Sequence, residues 1–500
     1  MFMTDYFPFA LTEAGLQDWL DELARLKVSK AGTYLQRFLE HLQQQPPATP
    51  TYGKLLRQIQ PYVLDYAKQL ESLQLPAHAP KSRTLKRKST ELSYQLLRSN
   101  ALLYAQLLNF SDLAPALALE FSITALQLIA YCLRKQAQLS LCPSSALWQV
   151  LAEIYQRADL EQRWEHAEDC QAALKTLKLL LRQNLLFALC NPFYFAAERV
   201  DSVFAFAVQH AGCLVIGAGA SNAEFTWLPS LHTAPRTFIP SAALSQLTVQ
   251  LDCTQIVAAL AAAPSPLLQP AEQGYLSQRL SGYTAIIESS HPGKTQIAQL
   301  FPHYHDILAT LNQYTSLHNI YRVAAINAPI PAKSHLHSLQ LEPVDIHTPR
   351  LKERNSRPSS RALSVAVHAT SFEHYLLAIA PLTAIEAGQL CLLVTDAHTT
   401  LGVIRKIYAH PQSNLQQLLI ARFNASPQNV HISINKRSQQ AILLSSAESL
   451  ELLIPSAKYK AGEVFKIHTL NKQGDYMFER LLEYSENFMH FKISLVSNSL

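Results

Sequence analysis

The stretch Arg350-Leu-Lys-Glu-Arg354-Asn-Ser-Arg357-Pro-Ser-Ser-Arg361-Ala-Leu-Ser-Val-Ala-Val-His368 is where the chain changes character. Four arginines fall within twelve residues, with Lys352 among them and Glu353 as the only acid. Directly after Arg361 the sequence turns apolar and β-branched, a strand signal. Before this stretch apolar residues recur mainly at helical spacing, and after it they come in short strand-like runs. The reading that follows is an α+β multidomain chain. It has an all-α helical region at 1–210, a mixed α/β middle region at 211–340, an arginine-rich hinge at 341–362 and a small β-barrel at 363–500.

Bulk properties agree with several packed units. Five hundred residues exceed what one hydrophobic core serves. An apolar fraction of 48% and a charged fraction of 16% describe a folded chain rather than a disordered one. The net charge is +5 and the pI near 8.7, mildly basic and not gathered into the stripe a nucleic-acid binder needs. The first residues, Met-Phe-Met-Thr-Asp-Tyr, hold neither a basic nor an apolar signal-peptide segment, so a cytoplasmic location is expected. The longest apolar stretch, Leu113 to Leu133, carries Pro115, Glu120 and Gln127 and reads as a buried core helix, not a membrane span. Seven cysteines, at 132, 142, 170, 190, 213, 253 and 391, form no C-x-x-C pair and read as buried thiols in a reducing compartment.

Leu16, Trp19, Leu20, Leu23 and Leu26 open the helical region as one apolar stripe. Like patterns recur at Leu55–Leu73, Leu92–Leu108, Leu117–Leu133, Leu147–Tyr155 and Ala172–Leu186, with Pro46, Pro47 and Pro50 interrupting. Paired helices of this kind can stack as a solenoid, but no fixed period repeats key residues, so that arrangement stays open. Lys81-Ser-Arg-Thr-Leu-Lys-Arg-Lys88 reads as a solvated linker. In the middle region Cys213–Ile216 and Phe225–Leu228 read as strands, and Val249–Leu260 and Thr295–Gln313 as helices. Nine short strands are expected after Arg361, from Ser364–His368 to Tyr476–Tyr484, spaced as in a barrel or sandwich.

Motifs for chemistry are weak. Gly217-Ala-Gly219 lacks a third glycine (Asn222 stands there) and opens no helix, so it reads as a turn between two strands. Gly293-Lys294-Thr295 resembles the end of a P-loop, but Glu288 and Pro292 oppose phosphate binding. His303-Tyr-His305 and His335-Leu-His337 each place two imidazoles on one side of an extended segment without further ligands, so no metal site is expected. No hydrolase, metalloprotease or kinase signature is present, and the chain is read as a non-enzyme. The arginines are a different matter. Guanidinium forks bind phosphate bidentately and read the O6/N7 edge of guanine, which suits an anionic guanine nucleotide. A plain solvated linker is the competing reading of the same residues.

Arg357-x-x-x-Arg361 directly before a barrel strand resembles the PilZ domain, a bacterial cyclic-di-GMP receptor. Asn184-Leu-Leu-Phe-Ala-Leu-Cys-Asn-Pro192-Phe-Tyr, the helix near Val200–His210, Leu401-Gly-Val-Ile-Arg405 and Leu481-Leu-Glu-Tyr-Ser-Glu-Asn-Phe488 are similar to a proteobacterial group of long PilZ-like proteins. That resemblance extends from about 180 to 494, and the first 180 residues match only in being helical. It implies no cofactor, cyclic-di-GMP as a ligand, and Arg357 and Arg361 as its holders, with Arg350 and Arg354 as a competing register. It also implies a protein partner for the helical region and a role in surface motility or attachment. A ligand-independent scaffold, and an enzyme with a dispersed site in 211–340, are the alternatives. The sequence departs from the family pattern in one place. The Asp/Asn-x-Ser-x-x-Gly turn is absent through Phe372–Pro381, and Gly388 comes too late to supply it.

Overall fold

In the computed structural model, the structure describes residues 12–44, 49–72, 80–109, 113–141, 143–160, 171–217, 224–232, 234–237, 248–282 and 296–312. Beyond these it describes 362–369, 374–379, 385, 388–395, 399–409, 416–434, 437–446, 449–455, 459–468, 473–485 and 487–497. The arginine hinge, Gly293-Lys-Thr295, His335, His337, Cys142 and Cys170 lie outside the described residues.

Six helices open the fold: α1 (Glu13–Leu23), α2 (Val28–Gln44), α3 (Thr49–Ser72), α4 (Pro80–Leu108), α5 (Pro115–Leu139) and α6 (Ser145–Leu160). Thr12 caps α1, its hydroxyl oxygen accepting from the Gly15 amide at 3.2 Å. The apolar stripe expected on α1 is buried at Leu16, Trp19, Leu20 and Leu23. Helices α2, α3, α5 and α6 all pack on α4, which makes this a bundle about one long helix. The basic segment at 81–88 forms the first turns of α4 and not a linker. Within it Arg87 pairs with Glu91 one turn on, at 3.0 Å.

Helix α5 is the one described helix long and apolar enough to cross a membrane by length and composition, and 61% of its most apolar window is buried inside the protein. Pro115 starts it, and Ser140 ends it in the left-handed region (φ 51°), its carbonyls closed by the amides of Ser140 and Leu141. A half-buried ion pair joins its Lys135 to Glu71 of α3 at 2.7 Å, where Ser93 of α4 also donates to Glu71.

Helices Gln171–Leu189 and Val200–His210 follow, then a four-stranded sheet in the order β1-β4-β2-β3. Its strands are β1 (Val215–Ile216), β2 (Phe225–Trp227), β3 (Arg236–Thr237) and β4 (Val249–Asp252). β4 lies between β1 and β2, so the strands flanking Gly217 are not hairpin partners. The segment expected as one helix, Val249–Leu260, is half strand. After β4 the Asp252 carboxylate accepts from the Thr254 amide at 2.7 Å, and helix Thr254–Ala262 starts there. Helix Pro270–Leu280 begins with a capping box between Gln269 and Glu272. One hydrophobic core runs from Leu16 to Leu280, so the helices and the small sheet share it and no core boundary falls at 210.

Thr295–Gln313 likewise divides into strand β5 (Gln296–Phe301) and a helix over 304–312, which puts His303 and His305 at a helix start and not on an extended segment. Strand β5 pairs with β6 (Leu363–Ala369) and β8 (Leu390–Val394). With β7 (His374–Ile379), β9 (Thr399–Ala409) and β10 (Gln416–Arg422) these close a six-stranded antiparallel barrel. A second six-stranded barrel follows: β11 (Ser426–Ile434), β12 (Arg437–Ser445), β13 (Leu450–Pro455), β14 (Val464–His468), β15 (Gln473–Tyr484) and β16 (Phe488–Ser497). One barrel was expected over 363–500, and two are present, the first taking a strand from before the arginine stretch. Period-2 patterning locates strands, but pairing and closure depend on partners far along the chain.

Each barrel has its own interior, and a third apolar cluster lies between them. On β8, Cys391 and Leu393 fill the first barrel while Leu390, Leu392 and Val394 face outward into the shared cluster. On β13, Leu452 and Ile454 fill the second barrel and Leu453 faces outward. Ile307, Leu308 and Leu311 of the 304–312 helix and Phe488 complete the joint. Strands buried on both faces lose the polar alternation of an exposed sheet, so Leu390–Val394 reads as an unbroken apolar run.

Candidate functional site

A cavity of about 250 Å³ lies where the helical body meets both barrels. The helix Gln171–Leu189 ends at Asn191, held in the left-handed region (φ 50°), and Pro192 starts a short 3-10 turn. Asparagine tolerates that conformation and proline cannot extend the helix, so Asn-Pro is a local stop signal. The turn delivers Phe193, which packs against both the helical core and the interior of the second barrel. Tyr194 stacks on Tyr275 with ring centres 3.8 Å apart, and the Asn191 amide donates to the Tyr275 hydroxyl at 3.0 Å.

From the first barrel Ile404 and Arg405 reach the cavity, and from the second come Glu483, Tyr484, Ser485 and Asn487. Gly402, two residues before Ile404, sits where a Cβ would lie 2.5 Å from Ile420 and 2.7 Å from the Ala421 carbonyl oxygen, so glycine is required by close approach on β10. A register shift between Leu419 and Ile420 marks the same place. Thus three of the four segments similar to the long PilZ-like group, those around Asn191, Arg405 and Glu483, converge on one cavity.

The charged centre is a fork-to-fork pair. Arg405 donates through both terminal nitrogens to the two Glu483 oxygens, Nη2 to Oε2 at 2.9 Å and Nη1 to Oε1. Burial works to raise the Glu483 carboxyl, but the charge and hydrogen bonds of Arg405, with His490 and Arg279 beyond, outweigh it and hold the group below its usual range. His490 stands opposite Glu483 on β16 and reaches Glu451 of β13, Nε2 to Oε2 at 2.8 Å. Arg279, on helix Pro270–Leu280, donates Nε–H to the Leu189 carbonyl at 2.7 Å and contributes a second cation to the cavity wall. Trp148 and Phe187 supply aromatic walls from the helical body.

The sequence-derived site residues Arg350, Arg354, Arg357 and Arg361 lie outside the described residues. In the chain they fall between the 304–312 helix and β6, and Arg361 is two positions before Leu363, where β6 begins. They therefore belong to a connection inside the first barrel's strand order, not ahead of the whole barrel. The stretch Phe372–Pro381, where the family turn was sought, contains strand β7, paired with β6 and β10. Arg279 and Trp148 were not anticipated from sequence. A lone arginine in a helix and a tryptophan on an apolar stripe carry no local signal. Among the described residues no group of three or more His, Cys, Asp or Glu is placed to hold a metal.

A helical body followed by antiparallel β-barrels agrees with the helical N-terminal region and C-terminal barrel that the resemblance implies. Residues 14–220 match the family model described as "Cyclic-di-GMP receptor FimW, N-terminal domain". The resemblance to PilZ-like receptors with a helical N-terminal region is thereby borne out, and over the helices themselves, which were expected to match only in being helical. No curated protein and no solved structure matches the chain.

Proposed function

We propose that this chain is a non-catalytic cytoplasmic effector that responds to cyclic-di-GMP. The observation that carries the reading is the match of its helical body to the N-terminal domain of a cyclic-di-GMP receptor. The four arginines that precede β6 in the sequence supply the chemistry: paired guanidinium forks for phosphate oxygens and for the O6/N7 edge of guanine. Arg357 and Arg361 are the holders, with Arg350 and Arg354 as the alternative register. The helical body is the surface for a protein partner, and the output concerns surface motility or attachment. Equilibrium dialysis of the whole protein with labelled cyclic-di-GMP distinguishes the registers. Arg357→Ala/Arg361→Ala is expected to abolish retention and Arg350→Ala/Arg354→Ala to weaken it only. Equal retention by both variants and the parent would reject the assignment.

A second reading, a scaffold that needs no nucleotide, is favoured by the missing Asp/Asn-x-Ser-x-x-Gly turn. It predicts that a fragment ending at Gly282, which keeps the whole Leu16–Leu280 core, retains the cellular partner regardless of cyclic-di-GMP. A fragment cut at 340 would split the first barrel, whose strand β5 lies before that point. A catalytic site dispersed over 211–340 would straddle the Leu16–Leu280 core, the first barrel's interior and the joint between the barrels.

A further inference from the structure

An open cleft of about 430 Å³ lies between the helical body and the second barrel, lined by none of the residues of the Arg405–Glu483 cavity. Three cations from three elements line it: Arg87 of α4, Arg480 of β15 and Lys492 of β16. Strand pairing sets two of them against each other. Arg480 and Lys492 are direct cross-strand partners, and like charges so placed destabilise a sheet. A register shift between Phe478 and Arg480 leaves Glu479 without a cross-strand partner. Neighbours on a regular strand point to opposite faces, yet Glu479 and Arg480 both line the cleft, as such a shift allows.

The groups around these cations leave Arg480 uncompensated. It is half-buried and makes no hydrogen bond or ion pair with any described residue. Of the two acids on the cleft, Glu479 reaches only Lys492, loosely at 3.9 Å, and Glu198 pairs with no described residue. The last carbonyls of α5, which ends at the cleft, are taken by the Ser140 and Leu141 amides. Arg87 gives its Nε–H to Glu91 at 3.0 Å, and its two Nη groups have no acceptor among the described residues. The guanidinium is seated on Gly462 of the second barrel (φ 82°), where a Cβ would overlap Nη1. Arg87 and Lys492 stay within reach of an occupant, their side chains 29% and 40% exposed.

We infer that this cleft binds a phosphoryl group, free or as a monoester, between Arg480 and Lys492, with Arg87 completing the cradle from the helical body. A phosphoryl group carries close to two negative charges and three acceptor oxygens, enough to relieve the Arg480–Lys492 opposition and still meet Arg87. The site is separate from the arginines at 350–361 and does not depend on them. An occupant held by α4 and by β15 and β16 at once stabilises the docking of the helical body on the second barrel over any arrangement that opens the cleft.

The test uses the full-length protein and two probes, inorganic phosphate and ribose 5-phosphate, in phosphorus NMR titrations at an ionic strength held constant with chloride. At least one probe is expected to bind with a Kd below about 1 mM. Arg480→Gln is expected to weaken that binding about tenfold or more, as loss of a charged hydrogen bond does. Lys492→Gln removes the facing cation and is expected to weaken it severalfold, so it serves if the arginine variant fails to fold. Glu479→Gln takes an acid from the cleft and is expected to tighten binding, which a merely structural role of these side chains would not produce. Arg357→Ala/Arg361→Ala is expected to leave it unchanged. Equal affinity for the two probes, or tighter inorganic phosphate, identifies a site for the phosphoryl group alone. Tighter ribose 5-phosphate identifies a ligand that carries the group on a larger body. A Kd above about 1 mM for both probes would overturn the inference. So would binding that survives both Arg480→Gln and Lys492→Gln, that Glu479→Gln weakens, or that is lost in the Arg357/Arg361 variant.

Discussion

Arg405 on β9 of the first barrel and Glu483 on β15 of the second clasp each other through two hydrogen bonds, tying the barrels together beside the helical body. Both side chains are largely shielded, 19% and 16% exposed. Breaking such a pair from one side leaves a poorly solvated charge behind.

Glu483→Gln is therefore expected to lower stability by roughly 3 kcal/mol at neutral pH, measured as a shift in the urea midpoint. The pH dependence has a definite sign. The folded-state pKa of Glu483 lies below its ordinary value of 4.5, so the pair's contribution is complete above that value. It is lost as pH falls through the lower folded pKa. The gap between wild type and Glu483→Gln should hold from pH 7 to 5 and narrow as the pH falls below 4.5. A gap that widened on acidification would contradict this account.

The apolar joint between the barrels is as buried as their interiors. Leu453→Ala removes a side chain that fills neither barrel but is fully buried against the other barrel and the 304–312 helix. It is expected to cost about 2–5 kcal/mol, as an interior leucine does, and Leu452→Ala a similar amount. If the barrels were independent beads, Leu453→Ala would cost less than about 1 kcal/mol, near that of a surface change. Chemical denaturation of the two variants side by side settles the point.

Gly402→Ala places a methyl group within 2.7 Å of the Ala421 carbonyl oxygen, a backbone atom that cannot swing away. The strand crossing has to shift, at about 1–3 kcal/mol. Arg405, three residues on, would move with it. Loss of Arg405–Glu483 coupling in a double-mutant cycle on the Gly402→Ala background is the accompanying sign, and an unchanged coupling energy would show that the glycine acts on its own strand only.

Much of this architecture was legible in the sequence. The 3.6-residue stripe from Leu16 to Leu23 and the apolar runs on either side of Gly402 depend on local periodicity, which survives without knowledge of partners. What was not legible depended on distant pairing. Val249–Leu260 and Thr295–Gln313 each have a strand running into a helix within a few residues, so neither period dominates. Strands β8 and β13 are buried on both faces, which hides the fact that their alternate residues serve two different cores. The ion pair joins residues 405 and 483, and only strand closure brings them together. Arg279 and Trp148 line a cavity whose walls come from the helical body and both barrels, far apart in the sequence.

The central proposal is that this protein answers to cyclic-di-GMP through the arginines that precede β6 in the sequence. Isothermal titration calorimetry of the full-length protein with cyclic-di-GMP tests it most directly. The account predicts saturable heat at micromolar protein that disappears in Arg357→Ala/Arg361→Ala while circular dichroism of the two proteins is the same. No heat from the parent protein, or equal heat from the parent and the variant, would contradict it.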